Sequence, residues 1–209
     1  MFYIGCTRFN NSTYQENLDY RFKNDISVIY GSALKIRNIY LPDSLIFVVE
    51  MNNDTNKIEG IGLIRNSLVH NKRHKIYEHI EYNRYIYSGK YGIRRELIDS
   101  DITQICDTIL FKGKSHLKCR SGITIITEKL FTHWDYELDV LKDKIKCLFL
   151  KHFTPLCIEI TQITQIIQTN TVEERIENEK EKENENEEFI EIITKKRKRL
   201  VNYDKNIEK

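Results

Sequence analysis

Apolar residues in this chain gather into short runs and one long stripe. Leu45-Ile46-Phe47-Val48-Val49-Glu50-Met51 is bounded by Pro42-Asp43 ahead and by Asn52-Asn53 behind. A brief apolar run between turn formers predicts a buried strand. Asn52 to Asn56 carries turn chemistry, because Asn and Asp bond their own backbone and tolerate left-handed dihedrals. Lys57 to Arg65 re-enters with Ile58, Ile61, Leu63 and Ile64, and with Gly60 and Gly62 where another backbone comes close. Strand, polar loop, strand predicts a hairpin.

Tyrosines at short spacing, Tyr82, Tyr85 and Tyr87, then Ser88-Gly89-Lys90, then Tyr91 to Arg95, predict a second pair of strands around a glycine turn. Ser100-Asp101 caps an expected short helix with Ile102, Ile105, Cys106, Ile109 and Leu110 on one face. Gly122 to Thr127 reads as a further strand. Leu130, Phe131, Trp134, Leu138, Leu141, Ile145, Leu148 and Phe149 recur at three- and four-residue intervals, a long amphipathic helix that should stop before Pro155. Several strands with helices make the fold class α+β.

Composition changes sharply beyond about residue 168. Val172 to Glu191 is dominated by Glu, Lys and Asn with no apolar stripe wide enough to fold on. Lys195, Lys196, Arg197, Lys198 and Arg199 then form a run of five cations, which fits a nuclear-import address or a nonspecific phosphate hook. The expected organisation is one folded domain over residues 1–160 and a charged, mostly disordered tail over residues 161–209.

The 209 residues carry a formal net charge of only +2, so the distribution matters more than the total. Between Gly60 and Arg95 stand Arg65, Lys72, Arg73, Lys75, Arg84, Lys90, Arg94 and Arg95 against Glu78 and Glu81 alone. Tyr77, Tyr82, Tyr85, Tyr87 and Tyr91 are interleaved with them. Cations neutralise phosphates, and flat aromatic faces stack on bases. The candidate phosphate contacts are therefore Arg65, Lys72, Arg73, Lys75, Arg84, Arg94 and Arg95, with Tyr82, Tyr85 and Tyr91 as stacking or pocket residues. Alternating strands would equally send tyrosines into a core and cations to an ordinary surface.

Other chemistry is incomplete at named positions. Cys147-x4-His152-x4-Cys157 reproduces half of a zinc-knuckle spacing, but Lys144 stands where the first cysteine belongs, so no metal is expected. Gly60-Ile61-Gly62 lacks the third glycine of a dinucleotide fingerprint, since position 65 is Arg65. Asp43 and Glu50 echo the acidic pair of restriction-type nucleases, yet Asn52 replaces the lysine such a centre needs. The expectation is a protein without catalysis or cofactor. Five scattered cysteines suit a reducing compartment, and neither a basic leader with a long apolar stretch nor a run of ~20 apolar residues occurs. The chain is thus expected inside a cell, in cytoplasm or nucleus, or in a particle assembled there, with no membrane partner.

The run IFVVEMNNDTNKIEGIGLIRN over Ile46–Asn66, followed by IYEHIEYNRYIYSGKYGIRREL over Ile76–Leu97, resembles uncharacterised proteins of large nucleocytoplasmic DNA viruses. The order of features is similar to PUA-like and EVE-like domains. That resemblance covers roughly residues 1–160. It implies a small mixed β-barrel with packed helices that binds RNA or modified-base DNA. Relatives that read methylated bases use an aromatic cage, often with tryptophan. The single Trp134 falls on the expected core helix, so a cage here would draw on Tyr3, Tyr14, Tyr30 or Phe47. The alternatives are a virion structural or protein-interaction component, its tail contacting a neighbour, and a divergent metal-dependent nuclease.

Overall fold

The computed structural model describes residues 2–70, 73–113, 116–119 and 121–153. Its centre is the predicted apolar run, strand β3 (Leu45–Asn52), buried along nearly its whole length. β3 is flanked by β1 (Phe2–Phe9), parallel to it in the register Phe2–Leu45 to Phe9–Asn52, and by β4 (Lys57–Arg65), antiparallel to it. The expected hairpin is therefore present, and Asn56 takes the left-handed conformation its turn requires, at φ 54°. A bulge opposite Glu50 and Met51 leaves Glu59 as the extra residue of β4.

Residues 1–44, to which the apolar pattern assigns no element, supply β1, helix α1 (Asn11–Asn24) and β2 (Val28–Ser32). Helix α1 starts on a reciprocal capping box between Asn10 and Thr13 and ends on left-handed Asp25. It carries almost no apolar stripe, and its one fully buried side chain is Asn17. Asn17 Nδ2 donates to the Ile29 carbonyl at 2.8 Å and to the Tyr77 hydroxyl at 3.0 Å. Polar anchoring of this kind leaves no hydrophobic period to read.

Strand β5 (Tyr85–Gly89) pairs with β2, while β6 (Tyr91–Arg94) pairs with β4. The expected second hairpin is thus corrected: the two strands belong to different sheets. Lys90 alone separates them, too few residues for a two-residue hairpin turn. At Gly89 the chain passes so close to β4 that a Cβ would lie 1.8 Å from the Leu63 carbonyl oxygen.

Helix α2 (Ser100–Phe111) buries Ile102, Ile105, Cys106, Ile109 and Leu110 as expected. The Gly122–Thr127 strand shrinks to β7 (Thr124–Ile125), which pairs with β1. The long helix begins later than its periodicity suggests: α3 spans Leu138–His152, and Leu130 and Phe131 are buried from a short 3-10 turn and the bend after it. The main sheet runs β6-β4-β3-β1-β7 and ends in two open edges. Among the described residues there is no closed barrel, so that expectation is corrected to an open five-stranded mixed sheet with three helices. Closure fails because β5, the strand that follows β4, pairs with β2 in a separate two-stranded sheet.

The two faces of the main sheet are covered differently. On one, Phe47 meets Phe149 of α3 with ring centroids 4.8 Å apart, and α2 packs beside it. On the other, Ile46, Val48 and Ile64 share a core with Val28 and Tyr30 of β2 and Ile86 and Tyr87 of β5. Glycines make that second contact possible. A Cβ on Gly62 would stand 2.2 Å from the Tyr30 hydroxyl, and one on Gly92 would stand 2.7 Å from Val28.

Two consequences for stability follow from this packing. Gly62→Ala should cost about 1–3 kcal/mol, the usual penalty for overfilling a packed core, read as a lower urea midpoint. Burial pushes the Cys6 thiol up from 9.0 to about 12, and Cys106 is raised for the same reason and by nearby Asp107. Unfolding releases both to ionise near their ordinary value. Their contribution is therefore complete below pH 9 and is lost as pH rises from 9 towards 12. Urea midpoints should fall between pH 7.5 and pH 10, and an unchanged midpoint would contradict the assignment.

Candidate nucleic-acid interface

The basic stretch does not remain one patch once folded. Arg65 is exposed at the end of β4, where Nη1 donates to the Asp43 carbonyl at 3.4 Å. Arg73 and Lys75 are exposed on the connection that runs beside α1. That connection is held by a 2.8 Å hydrogen bond between the Tyr20 hydroxyl and His74 Nδ1, and by the Glu78 amide donating to Glu16 at 2.8 Å. Arg84 is exposed, with its guanidinium 5.7 Å from the Tyr85 ring centroid. Lys72 and the Lys195–Arg199 cluster lie outside the described residues.

Arg95 is engaged within the fold. Its Nη2 pairs with Asp107 at 2.7 Å, and Nη1 donates to the Ile58 carbonyl at 2.7 Å, tying the chain after β6 to α2 and β4. Arg94 is exposed but sits in acidic surroundings. It lines a groove of about 720 Å³ beside α1 together with Asp19, Asp25, Glu59 and Glu96. With the Arg21–Glu50 pair on the same lining, five carboxylates stand against two arginines, a surround that repels a polyanion. Gly60, partnered with Arg94, and Arg65 stand about 16 Å apart along β4 at ~3.3 Å per residue, so the two ends of the stretch serve different surfaces.

The tyrosines divide in the same way. Tyr77 and Tyr87 are core residues whose hydroxyls accept hydrogen bonds, from Asn17 Nδ2 and from the Ile36 amide at 2.9 Å. Tyr85 and Tyr91 are half-buried, the Tyr91 ring tilted against Phe153 at 5.0 Å. Tyr82 alone of the five keeps 43% of its surface exposed. It stacks on His79 at 4.7 Å and presents its edge to Tyr77. The aromatic cage is corrected too. Phe47 faces α3, Tyr30 is fully buried on the opposite face, and Tyr3 packs against Tyr40, so these rings share no pocket.

Tyr82 instead stands at a smaller pocket of about 320 Å³ at the carboxyl end of β1. Arg8 and Lys118 line it, with the hydroxyl-bearing Thr7, Thr13, Ser32 and Ser121, and among the described residues no Asp or Glu does. Arg8 braces the far wall, donating from Nη2 to the Gly122 carbonyl at 3.1 Å and from Nη1 to that of Leu117 at 3.5 Å. Asn53 donates to the Lys118 carbonyl at 3.1 Å, and its buried Oδ1 finds no partner among the described residues. The nearby start of α1 is already satisfied, since Asn10 accepts from the Thr13 amide and Asp54 from that of Asn11. Sequence reading missed Arg8, Lys118 and His79. Arg8 and Lys118 lie far from the basic stretch, and no local signal brings position 8 beside position 118.

The nuclease pair is taken apart as well. Leu45 to Glu50 spans about 16 Å of strand, which puts Asp43 at the opposite end from Glu50. Glu50 is itself committed: Oε1 accepts from Arg21 Nη2 at 2.7 Å and from the Tyr30 hydroxyl at 2.7 Å. Burial alone would lower the Arg21 pKa, but the charge of Glu50 and the hydrogen bond to it leave it above its ordinary value. Burial, reinforced by the Glu50 charge, holds Tyr30 well above its own, so it keeps its proton as the donor. No group of His, Cys, Asp and Glu able to hold a metal occurs among the described residues, where no helix is long and apolar enough to cross a membrane.

Comparison with family models, curated proteins and solved structures finds no match in any of the three. Glu50→Gln should cost about 3–5 kcal/mol, because it strands the Arg21 charge, 13% exposed, without its counter-ion. Chemical denaturation of the variant checks this directly.

Proposed function

We propose that the chain is a non-catalytic nucleic-acid-binding module that holds single-stranded RNA or DNA at the Tyr82 end of β5. The observation that carries this reading is an exposed Tyr82, stacked on His79, on the lining of a pocket whose described residues include Arg8 and Lys118 and no carboxylate. A base needs a flat face, and its phosphate needs a positive, acid-free surrounding. Arg73, Lys75 and Arg84 extend positive charge along the chain that leads to Tyr82. The order of segments, which resembles that of PUA-like and EVE-like domains, is in keeping with the same reading. In this reading Lys195–Arg199 adds a second, sequence-independent hold on phosphate or a contact for a protein partner.

Fluorescence anisotropy with labelled twelve-nucleotide DNA and RNA strands, at two salt concentrations, tests it. Tyr82→Ala should weaken binding by about 1–3 kcal/mol, the worth of one stacked base. The triple variant Arg73→Ala, Lys75→Ala, Arg84→Ala should flatten the salt dependence. Arg94→Ala should leave both unchanged. A parent protein that ignores both strands, or a Tyr82→Ala variant that binds as tightly, overturns the proposal.

A further inference from the structure

The pocket at the carboxyl end of β1 contains a buried acceptor that the fold leaves unsatisfied. Asn53 is on its lining, and Asn53 Nδ2 donates to the Lys118 carbonyl at 3.1 Å. That bond fixes the amide, turning Oδ1 away from the carbonyl. Oδ1 is buried and has no hydrogen-bond partner among the described residues. Neighbouring donors are engaged elsewhere. Thr13 Oγ1 donates to Asn10 Oδ1 at 2.9 Å, Ser32 Oγ to the Leu34 carbonyl at 2.6 Å, and Lys118 Nζ to Asn56 Oδ1 at 2.6 Å. An amide oxygen only accepts, so the missing partner is an N–H or O–H group brought by a ligand.

Resting on the nucleic-acid reading above, we infer that this pocket prefers RNA to DNA, because Asn53 Oδ1 accepts a hydrogen bond from a ribose 2′-hydroxyl. Tyr82 and Asn53 line the same pocket of about 320 Å³. That is near the ~300 Å³ lower end of small-ligand pockets, so one nucleotide reaches from one residue to the other. Tyr82 keeps 43% of its surface exposed, and a base stacked on it lies against a surface ring. Sugar and phosphate then face the rest of the lining, which suits them: Arg8 and Lys118 for the charge, Thr7 and Ser121 for the oxygens. Within an internal deoxynucleotide every sugar and phosphate oxygen is an acceptor, and none can satisfy Oδ1. The 2′-hydroxyl is the donor that RNA adds. A base N–H could serve Oδ1 only by leaving Tyr82, and the identity of the sugar would then not matter.

The test uses the full chain and a fluorescein-labelled twelve-residue oligouridylate in three forms that share one base: ribose, 2′-deoxyribose and 2′-fluoro. The 2′-fluoro sugar keeps the ribose pucker but has no donor. By fluorescence anisotropy the ribose strand should bind about five- to tenfold more tightly than either of the others, the worth of one hydrogen bond to a buried acceptor. Asn53→Ala should bring the ribose strand down to the deoxyribose level. It should leave the deoxyribose strand where it was, which also shows that the variant is folded. If the variant loses all three strands, the parent's ranking of the three sugars decides. A parent that binds the ribose strand no better than the deoxyribose strand overturns this inference and leaves the nucleic-acid reading standing. Binding to none of the three overturns both. A 2′-fluoro strand held as tightly as ribose, or a folded Asn53→Ala variant with its ribose preference intact, overturns the role given to Oδ1.

Discussion

The buried contact of Arg21 and Tyr30 with Glu50 is the constraint around which this molecule is arranged. It joins α1, β2 and β3, three elements that no hydrophobic period relates to one another. A charge taken out of water has to be matched, and here the match fixes where α1 lies on the sheet. The requirement then spreads outward. Tyr30 can reach Glu50 only across Gly62, and β2 can lie on the sheet edge only across Gly92. Residues that look like relaxed spacers in the chain are thus places where a side chain is forbidden.

The parts of the fold legible in the sequence are those in which burial is one-sided or complete. β3 shows as an unbroken apolar run, and α2 shows as a stripe of five buried positions. Helix α1 did not show, because Asn17, Tyr20 and Arg21 anchor it through polar groups that ordinarily mark a surface. The pairing of β5 and β6 was misread for another reason. Alternating tyrosines announce strands but say nothing about partners, and a single intervening residue directs each strand to a different sheet. In α3 the periodicity ran on through buried Leu130 and Phe131 and half-buried Trp134, which keep the same spacing from a turn.

The candidate site was legible only in fragments. Eight cations in one stretch suggested one surface, but a strand carries its two ends about 16 Å apart, and each end meets its own neighbours. Arg95 pairs with Asp107, Arg94 lines an acidic groove, and Arg65 stays exposed far from Arg73, Lys75 and Arg84. Tyr82 was named from sequence, while Arg8 and Lys118 were not. Their juxtaposition depends on the loop before β7 folding back over the end of β1. Two of the domain's recesses differ in sign, one beside α1 and one at the tip of β1.

Lys90 gives the fold a mechanical property of its own. With one residue between β5 and β6, the two-stranded sheet and the edge of the five-stranded sheet share a nearly rigid joint. Neither can slide, fray or re-register without pulling the other, since Gly89 is already pressed against Leu63. Local openings that free one sheet alone are therefore suppressed, and the two should protect their amides as one cooperative unit. The joint couples the tip that carries Tyr82, at one end of β5, to the edge beside α1, at the far end of β6. A load applied at either recess is carried through continuous backbone to the other.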